Sequence, residues 1–320
     1  MMRDYLASEP TVTDLQKELI EAAARYAYSV SIDDEQNTKD ASSYRDRWQA
    51  RNRTRVNCLQ LLPAPVAKFY EDVFRRPDID LALLPSYSFV FQFTFTLAQP
   101  YISRDEQDFY IIDNPVRKDK IFKLPYIAST SWKGSLRSAF WREGDKADDE
   151  QVRRLFGNQK KVAGEPGSDD AQDLQAGRLY FYPTFFTVRS LEIINPQDRG
   201  LRAGKLPIAF ESVPQDADGI FTLLYVPFDP VDLDEAIRRK WAAEDMKRVA
   251  KGLKTMFRDQ GFGAKTSSGF GLANEDIRQV RGEIRTQEVQ KFQPIPDSFS
   301  TFVDATNKLA GAVENAGRGK

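Results

Sequence analysis

The residues best suited to bind an anion lie in one glycine-rich stretch in the last quarter of the chain. Residues 261–271 read GFGAKTSSGFG, so four glycines, one lysine and three hydroxyl side chains fall within eleven residues. Glycine permits tight turns and close approach to a ligand because it has no Cβ. Lysine and hydroxyl groups supply charge and hydrogen bonds that suit phosphate or sugar oxygens. The stretch therefore predicts an anion-binding loop, with nucleic acid as the first candidate ligand.

Two well-known phosphate-binding loops do not fit this stretch. A P-loop requires glycine directly before its lysine and another glycine five residues earlier, but Ala264 and Asp259 occupy those positions. A dinucleotide-binding fingerprint that starts at Gly261 requires glycine where Thr266 stands. A glycine-rich hairpin turn that binds no ligand stays open as the alternative interpretation.

A second candidate site lies where an extended segment runs into a predicted helix. Residues 129–137 read STSWKGSLR, and either Thr130 or Ser131 is a natural N-terminal cap for that helix. Lys133 and Arg137 lie one turn apart on one face of it. Free N–H groups, a hydroxyl and a lysine at a helix start form a phosphate site. An ordinary capped amphipathic helix with two solvated cations is the alternative.

The composition removes several classes of chemistry. The chain has no histidine and one cysteine, Cys58, which excludes Ser-His-Asp catalysis, imidazole metal ligands and an internal disulfide. Any catalysis therefore depends on carboxylates, lysine, tyrosine, hydroxyls or a metal ion with oxygen ligands. The 46 basic and 47 acidic residues nearly cancel, which favours local basic patches within an assembly over a free-standing nucleic-acid binder.

The hydrophobic pattern predicts an α+β architecture rather than a doubly wound parallel sheet. The clearest strand is predicted at residues 87–97, where aromatic residues alternate with mostly polar ones and form a core-facing surface. Further strands are predicted at 178–188 and 219–228, and helices at 13–30, 44–62, 233–257 and after Pro296. The polar first ten residues and the absence of a long apolar run predict a cytoplasmic protein with no membrane partner.

Together the two candidate segments resemble the RAMP superfamily of CRISPR-associated proteins. The resemblance depends on the S-x-K-G-x-x-R helix start at 131–137 and the later G-x-G-A-K-T-x-x-G-x-G loop. Further segments follow in the family's order, at residues 112–119, 155–157, 177–181 and 211–214. The similarity covers residues 86–275. It departs from the family pattern at Ala128, where glycine is common, and at 182–184, which lack an aspartate.

The resemblance implies a ferredoxin-like, RRM-type core with inserted loops and an N-terminal helical extension. The implied domains are a helical extension at 1–80, a RAMP domain at 81–280 and a tail at 281–320. Related proteins are RNA-binding subunits of type III CRISPR complexes, so the implied partners are a guide RNA, a complementary target RNA and other subunits. The protein would hold the guide by its backbone and leave sequence reading to base pairing. Whether the chain is the repeating backbone subunit or the subunit at the end of the filament stays open.

The resemblance also implies roles for individual residues. The implied RNA-binding residues are Ser131, Lys133, Arg137, Gly263, Lys265, Thr266, Ser267, Ser268, Arg199 and Arg202. Repeating subunits of type III complexes cleave target RNA with an aspartate in the loop after the first strand. Asp105 is the best positional match, with Asp108 next.

A carboxylate in that loop can bind Mg²⁺ or help to activate the 2′-hydroxyl of RNA. Acidic residues in a solvated loop are the alternative interpretation. A different function also stays open: a metal-dependent phosphoryl-transfer enzyme that binds a nucleotide at the glycine-rich loop.

Overall fold

The structure is a computed structural model, and its two compact units are described one at a time. The described residues are 59–60, 74, 76–104, 114–122, 124–144, 149–157, 176–194, 197–198, 203–204, 208–228 and 233–316. The first unit draws on residues 1–75, 99–126 and 185–217, and the second on 76–98, 127–184 and 218–320. The predicted domain boundaries at 80 and 280 stay predictions.

The described elements are mixed, as an α+β chain requires. The strands are β1 (Leu59–Gln60), β2 (Phe89–Leu97), β3 (Tyr126–Ile127), β4 (Leu179–Phe181), β5 (Thr184–Phe185), β6 (Val188–Ile194), β7 (Gln197–Asp198), β8 (Ala203–Gly204), β9 (Ile208–Ser212), β10 (Asp218–Tyr225), β11 (Ala273–Arg285) and β12 (Val289–Lys291). The α-helices are α1 (Ser129–Arg142), α2 (Glu150–Phe156), α3 (Glu235–Thr255) and α4 (Phe299–Asn315).

Most of the predicted elements that can be compared are confirmed, with shifted ends. The strands predicted at 87–97 and 219–228 are β2 and β10, and the helix predicted at 233–257 is α3. The segment 178–188 is not one continuous strand, because Pro183 lacks the N–H that a ladder needs and separates β4 from β5. Within the helix predicted at 44–62, Leu59–Gln60 are instead a strand that pairs with β6, and the rest of that range lies outside the described residues. The helix predicted at 13–30 lies outside the described residues.

The second unit is built on a five-stranded antiparallel sheet in the order β12-β11-β2-β10-β4. Strand β2 is central, and Phe89, Phe91, Phe93, Phe95 and Leu97 on one face of it are fully buried. This face is the core, as the alternation predicts. Rings from three other elements reach Phe93, since Phe221, Phe257 and Phe299 lie 5.1, 5.4 and 5.4 Å from it.

The opposite face of the same sheet is covered in part by residues 76–84. Ile79 and Leu81 join Val90, Leu224 and Val226 in a buried apolar cluster on that side. The guanidinium of Arg76 donates to Thr94 on β2 and to the backbone and side-chain oxygens of Gln279 on β11. The buried Gln92 of β2 donates to Thr222 Oγ1 over 3.0 Å. These contacts leave this part of the sheet closed to an external ligand.

A buried charged network joins four segments of the second unit. The carboxylate of Asp245 on α3 is fully buried and accepts two hydrogen bonds from Arg154, at 2.9 and 2.6 Å. It also accepts from the Tyr225 hydroxyl at 2.9 Å, and Arg178 donates to that hydroxyl at 2.8 Å. Burial and the charge of Asp245 raise the pKa of Tyr225. Because a buried carboxylate is tolerated only when well paired, this network fixes α2 and α3 against the sheet.

The first unit contains a three-stranded antiparallel sheet in the order β1-β6-β9. Glu211 of β9 is buried and contacts two cations, with Lys118 Nζ at 2.6 Å and Arg189 Nη1 at 3.1 Å. Tyr101, which follows β2 in the chain, is also buried, and its backbone pairs with Val213. Burial raises the pKa of the Tyr101 hydroxyl to about 12. These interactions fix the chain just before the acidic segment that includes Asp105.

Candidate functional site

The base of the glycine-rich loop is closed by backbone contacts that only glycine permits. The N–H of Phe262 donates to the carbonyl of Gly271 over 3.0 Å. Gly261 and Gly271 have φ angles of +78° and +72°, and a Cβ added to Gly271 would lie 1.9 Å from the Phe262 carbonyl oxygen. Two of the four glycines therefore have a role within the fold itself, as the hairpin interpretation requires.

The tip of the loop presents polar groups to solvent. Lys265 takes a left-handed conformation with φ of +56°, and a 3-10 turn at Thr266–Ser268 follows it. The N–H of Ser268 donates to the Lys265 carbonyl, and that of Gly269 to the Thr266 carbonyl, both over 2.9 Å. Gly263, Lys265, Ser267 and Ser268 are exposed, and Thr266 is half-buried. Charge, hydroxyls and backbone are thus held on a tight, outward-facing turn.

One aromatic side chain fixes this loop beside helix α1. Phe262 is 1% exposed, and its ring lies 4.8 Å from Trp132 and 5.3 Å from Phe257. Trp132 is fully buried in the first turn of α1 and donates from its Nε1 to Thr184 Oγ1 over 3.1 Å. The side chain of Gln260, directly before the loop, donates to Ser138 on α1 over 2.8 Å. The structure therefore brings together the two segments that the sequence singles out.

The start of α1 differs from the sequence prediction. The helix begins at Ser129, and its N-cap is Ala128, which makes no side-chain cap hydrogen bond. The predicted cap at Thr130 or Ser131 is wrong, because the helix starts earlier and both residues lie inside its first turn. The N–H groups of Ser131 and Trp132 donate to the Ala128 carbonyl over 2.9 and 3.1 Å. The hydroxyls of this turn are consequently not used to cap the helix.

A basic and aromatic stripe runs along the accessible side of α1 at four-residue spacing. Lys133 and Arg137 are half-buried, while Trp141 is 42% exposed, with the Arg137 guanidinium 5.4 Å from its ring centre. Burial, followed by the charge of Arg137, lowers the pKa of Lys133. Sequence reasoning missed Trp141, although its spacing from Arg137 equals that between Lys133 and Arg137.

The acidic residue that follows α1 is paired with cations from α3. Glu143 contacts Arg248 and Lys251, the latter at 3.0 Å, and accepts a hydrogen bond from Thr255. Burial alone raises the pKa of this carboxyl, but hydrogen bonds from Thr255, Lys251 and Arg248 outweigh it and hold the pKa below its ordinary value. Its charge is therefore balanced by neighbours on α3.

Four of the predicted site residues lie outside the described part of the chain, namely Asp105, Asp108, Arg199 and Arg202. Within the described residues, no group of three or more histidine, cysteine, aspartate or glutamate side chains is arranged to hold a metal ion. No helix in that same part of the chain is long and apolar enough to cross a membrane.

Comparisons with known proteins agree with one another. The sequence model of the RAMP superfamily matches residues 100–274. A chain in the cryo-EM structure of the Type III-B Cmr-beta bound to cognate target RNA shares the fold, with a TM-score of 0.51. That chain is 16% identical, and the match covers 79% of each chain. No curated protein matches this sequence.

Proposed function

The chain belongs to the RAMP superfamily, and from this premise we propose that it is a cytoplasmic RNA-binding subunit of a type III CRISPR effector complex. One observation carries the proposal. The contact between the buried rings of Phe262 and Trp132 fixes the glycine-rich loop, whose tip exposes a lysine and hydroxyl groups, to the helix that carries the basic stripe. We infer that these two segments, which lie far apart in the sequence, form one anion-binding surface.

The topology of the five-stranded sheet supports a ferredoxin-like core. Along the chain the elements β2, α1, β4, β10, α3 and β11 follow the pattern strand-helix-strand-strand-helix-strand. In the sheet, β2 lies between β10 and β11, and β4 lies at an edge. Both α1 and the glycine-rich loop are connections of this core, where binding residues commonly lie.

The surface is suited to the sugar–phosphate backbone of a guide RNA. Lys133 and Arg137 on α1, with Lys265, Thr266, Ser267 and Ser268 at the loop tip, offer cations and hydroxyl donors to phosphate and ribose oxygens. Such contacts position an RNA without reading its sequence, which leaves base pairing with a complementary target RNA to do so. Arg199 and Arg202 are proposed as further phosphate contacts. The net charge of −1 makes binding depend on this local patch and on neighbouring subunits.

Cleavage of the target RNA is a separate part of the proposal. Related repeating subunits carry their catalytic aspartate in the loop after the first core strand, and we propose Asp105, and next Asp108, as the positional matches to it. A carboxylate at that position would assist attack by the 2′-hydroxyl of the target or hold Mg²⁺. The RNA-binding role does not depend on this step.

Binding of RNA by the full chain tests the proposed interface. We expect a 5′-fluorescein-labelled single-stranded RNA to bind the wild-type protein with an affinity that falls as salt rises. The variants Lys133→Gln with Arg137→Gln, and Lys265→Gln, should bind more weakly and show a shallower salt dependence. Lys240→Gln is the matched control, because Lys240 is an exposed α3 lysine that pairs with Glu244 at 3.9 Å. Equal affinity of all four proteins, or binding of free nucleotide in preference to RNA, would contradict the proposal.

A further inference from the structure

Arg76 is a half-buried cation that forms no ion pair with a carboxylate in the described part of the chain. Its guanidinium donates to three neutral oxygens, namely Thr94 Oγ1, the Gln279 carbonyl at 2.7 Å and Gln279 Oε1 at 2.6 Å. Burial lowers the pKa of Arg76 as a result. Because an unpaired cation is costly to take out of water, this arrangement indicates a counter-charge that comes from outside the chain.

A strained stretch of backbone holds Gln279 against this guanidinium. Gln279 has a left-handed conformation with φ of +50°, which is costly for a residue with a side chain. It lies in a bulge of β11, where the register to β2 shifts between Arg278 and Arg281. Such bulges redirect side chains and are common beside functional sites. The bulge brings two oxygens of one residue to Arg76 and thereby fixes the orientation of its guanidinium.

The two arginines that flank Gln279 on β11 differ from Arg76, because each has a carboxylate partner. Arg278 pairs with Asp218 at 2.5 Å, and Arg281 pairs with Glu283 at 2.8 Å. Their charges are therefore balanced within the fold. An anion that approaches this side of the sheet is attracted by the charge of Arg76, which its neighbours leave unbalanced.

Part of the guanidinium is left for a ligand. Its hydrogen bonds leave Nε–H and one Nη1–H of Arg76 without an acceptor among the described residues. The strands beneath are closed, so a ligand meets the outer edge of the guanidinium rather than the sheet. A planar guanidinium edge with two donors matches the oxygens of a phosphate group.

Arg76 lies at the end of the sheet from which the glycine-rich loop emerges. Its partner Thr94 stands three residues, or about 10 Å, before the end of β2 at Leu97. Strand β11 begins directly after the loop, and its first residue, Ala273, is paired with Leu97. The exposed side chains beside Arg76 include Arg278 and Gln279, which are polar. Such surroundings favour a hydrated phosphate contact over an apolar protein interface.

We propose that the outer edge of the Arg76 guanidinium binds a phosphodiester group of single-stranded RNA, at a contact separate from α1 and the glycine-rich loop. The inference rests on the proposed RNA-binding function but uses different residues. Arg76 and Gln279 both lie outside residues 100–274, which match the family model, so the family match does not assign this contact. The phosphate supplies the counter-charge that the described residues do not.

The test compares Arg76→Gln, Arg76→Lys and Arg281→Gln in the full chain. Fluorescence anisotropy with 5′-fluorescein single-stranded RNA should show affinity lowered about fivefold by Arg76→Gln, and the slope of log affinity against log salt concentration reduced by about one. Arg76→Lys should keep the slope but lose part of the affinity, because lysine retains the charge without the planar fork. Arg281→Gln should bind RNA as wild type does, because Arg281 is already paired with Glu283.

Thermal unfolding separates a lost RNA contact from a damaged fold. Arg76→Gln removes a charge that has no counter-charge, so its unfolding midpoint should stay within a few degrees of wild type. Arg281→Gln deprives the carboxylate of Glu283 of a cation and should unfold at a lower temperature. Weaker RNA binding by Arg76→Gln than by the less stable Arg281→Gln would then have no explanation in stability.

The outcomes distinguish this contact from the proposed α1 interface. If Arg76→Gln binds RNA as tightly as wild type while Lys133→Gln with Arg137→Gln loses binding, the Arg76 contact is refuted and the interface stands. If the double variant binds normally and Arg76→Gln does not, the α1 interface is refuted and the Arg76 contact stands. Normal RNA binding by Arg76→Gln with loss of co-purified sister subunits would also refute the proposal, because the counter-charge would then be a carboxylate of a protein partner.

Discussion

The ring of Phe262 lies 4.8 Å from the indole of Trp132, and this contact joins two segments that are 130 residues apart in the sequence. Each ring also contacts Phe257, at 5.3 Å from Phe262 and 5.4 Å from Trp132. The glycine-rich loop is thereby fixed to the same aromatic core that positions α1. Rigid placement of both elements is what a preorganised binding surface requires.

Phe262→Leu should weaken RNA binding more than its effect on stability explains. Leucine keeps the site apolar, so we expect a loss of about 1 kcal/mol in the free energy of unfolding. The looser loop should lower RNA affinity about fivefold, because its base is no longer held by the ring of Trp132. Urea denaturation and RNA titration measure the two effects.

Phe91→Leu is the control for that loss of ring packing. Phe91 is also fully buried in β2, and its ring contacts Phe89, Phe292 and Phe302 instead of the loop. The Phe91→Leu variant should lose about as much free energy of unfolding as Phe262→Leu does, while its affinity for RNA stays unchanged. Equal loss of affinity in both variants would show that the Phe262–Trp132 contact has no special part in binding.

The sequence predicts this surface in part, because its signals are local. The alternation of Phe89–Leu97 identifies a strand and its buried face, since side chains of a strand alternate between faces. The glycines and polar residues of 261–271 likewise identify a turn with an exposed polar tip. The helix boundary at Ala128 is not predicted, because Ser and Thr at 129–131 all suit a cap and propensity does not choose among them.

Features that depend on distant segments leave no such local signal. Asp245 is paired with Arg154 and shares Tyr225 with Arg178, and these four residues come from four separate parts of the chain. Read singly, each looks like a solvated charge or a core tyrosine. Their burial follows from the packing of α2 and α3 on the sheet. The neighbourhood of Phe262 and Trp132 is likewise a tertiary contact, which only the fold reveals.

Gly271→Ala should open the base of the loop. Its φ of +72° disfavours an L side chain, and the added Cβ would lie 1.9 Å from the Phe262 carbonyl oxygen. We expect a loss of about 2 kcal/mol or more in the free energy of unfolding. Gly269→Ala is the comparison, because its φ of +86° carries strain but its Cβ would meet no atom within 4 Å. That variant should lose about 1 kcal/mol. Equal losses in urea denaturation would contradict the steric argument.

Glu143→Gln should lower stability at neutral pH but not in acid. The hydrogen bonds from Thr255, Lys251 and Arg248 hold the pKa of Glu143 below its ordinary value of 4.5. A carboxyl whose pKa is lower in the folded than in the unfolded state stabilises the protein above the unfolded pKa, and this contribution is lost as pH falls through the folded pKa. We expect a deficit of about 1 kcal/mol at pH 7, where the carboxylate is replaced by a neutral amide.

Urea denaturation as a function of pH checks this prediction. The difference between wild type and Glu143→Gln should shrink once the pH drops below 4.5. Glu244→Gln is the control, because Glu244 forms an exposed pair with Lys240 at 3.9 Å and such pairs contribute little. A deficit for Glu143→Gln that persists unchanged in acid would show that its charge is not what stabilises the fold.

Asp105→Ala should abolish target-RNA cleavage in the assembled complex while leaving guide RNA bound. Asp105 lies in the acidic segment that follows β2, and its assignment rests on that position in the sequence. Loss of a catalytic carboxylate slows a step that depends on it by about a hundredfold or more. Guide RNA should stay bound, because its proposed contacts lie on α1 and the glycine-rich loop. Gel analysis of labelled target RNA and quantification of co-purified guide measure the two properties. Asp108→Ala is the matched acidic control and should retain more cleavage. Unchanged cleavage products with Asp105→Ala would remove the nuclease role and leave the RNA-binding role intact.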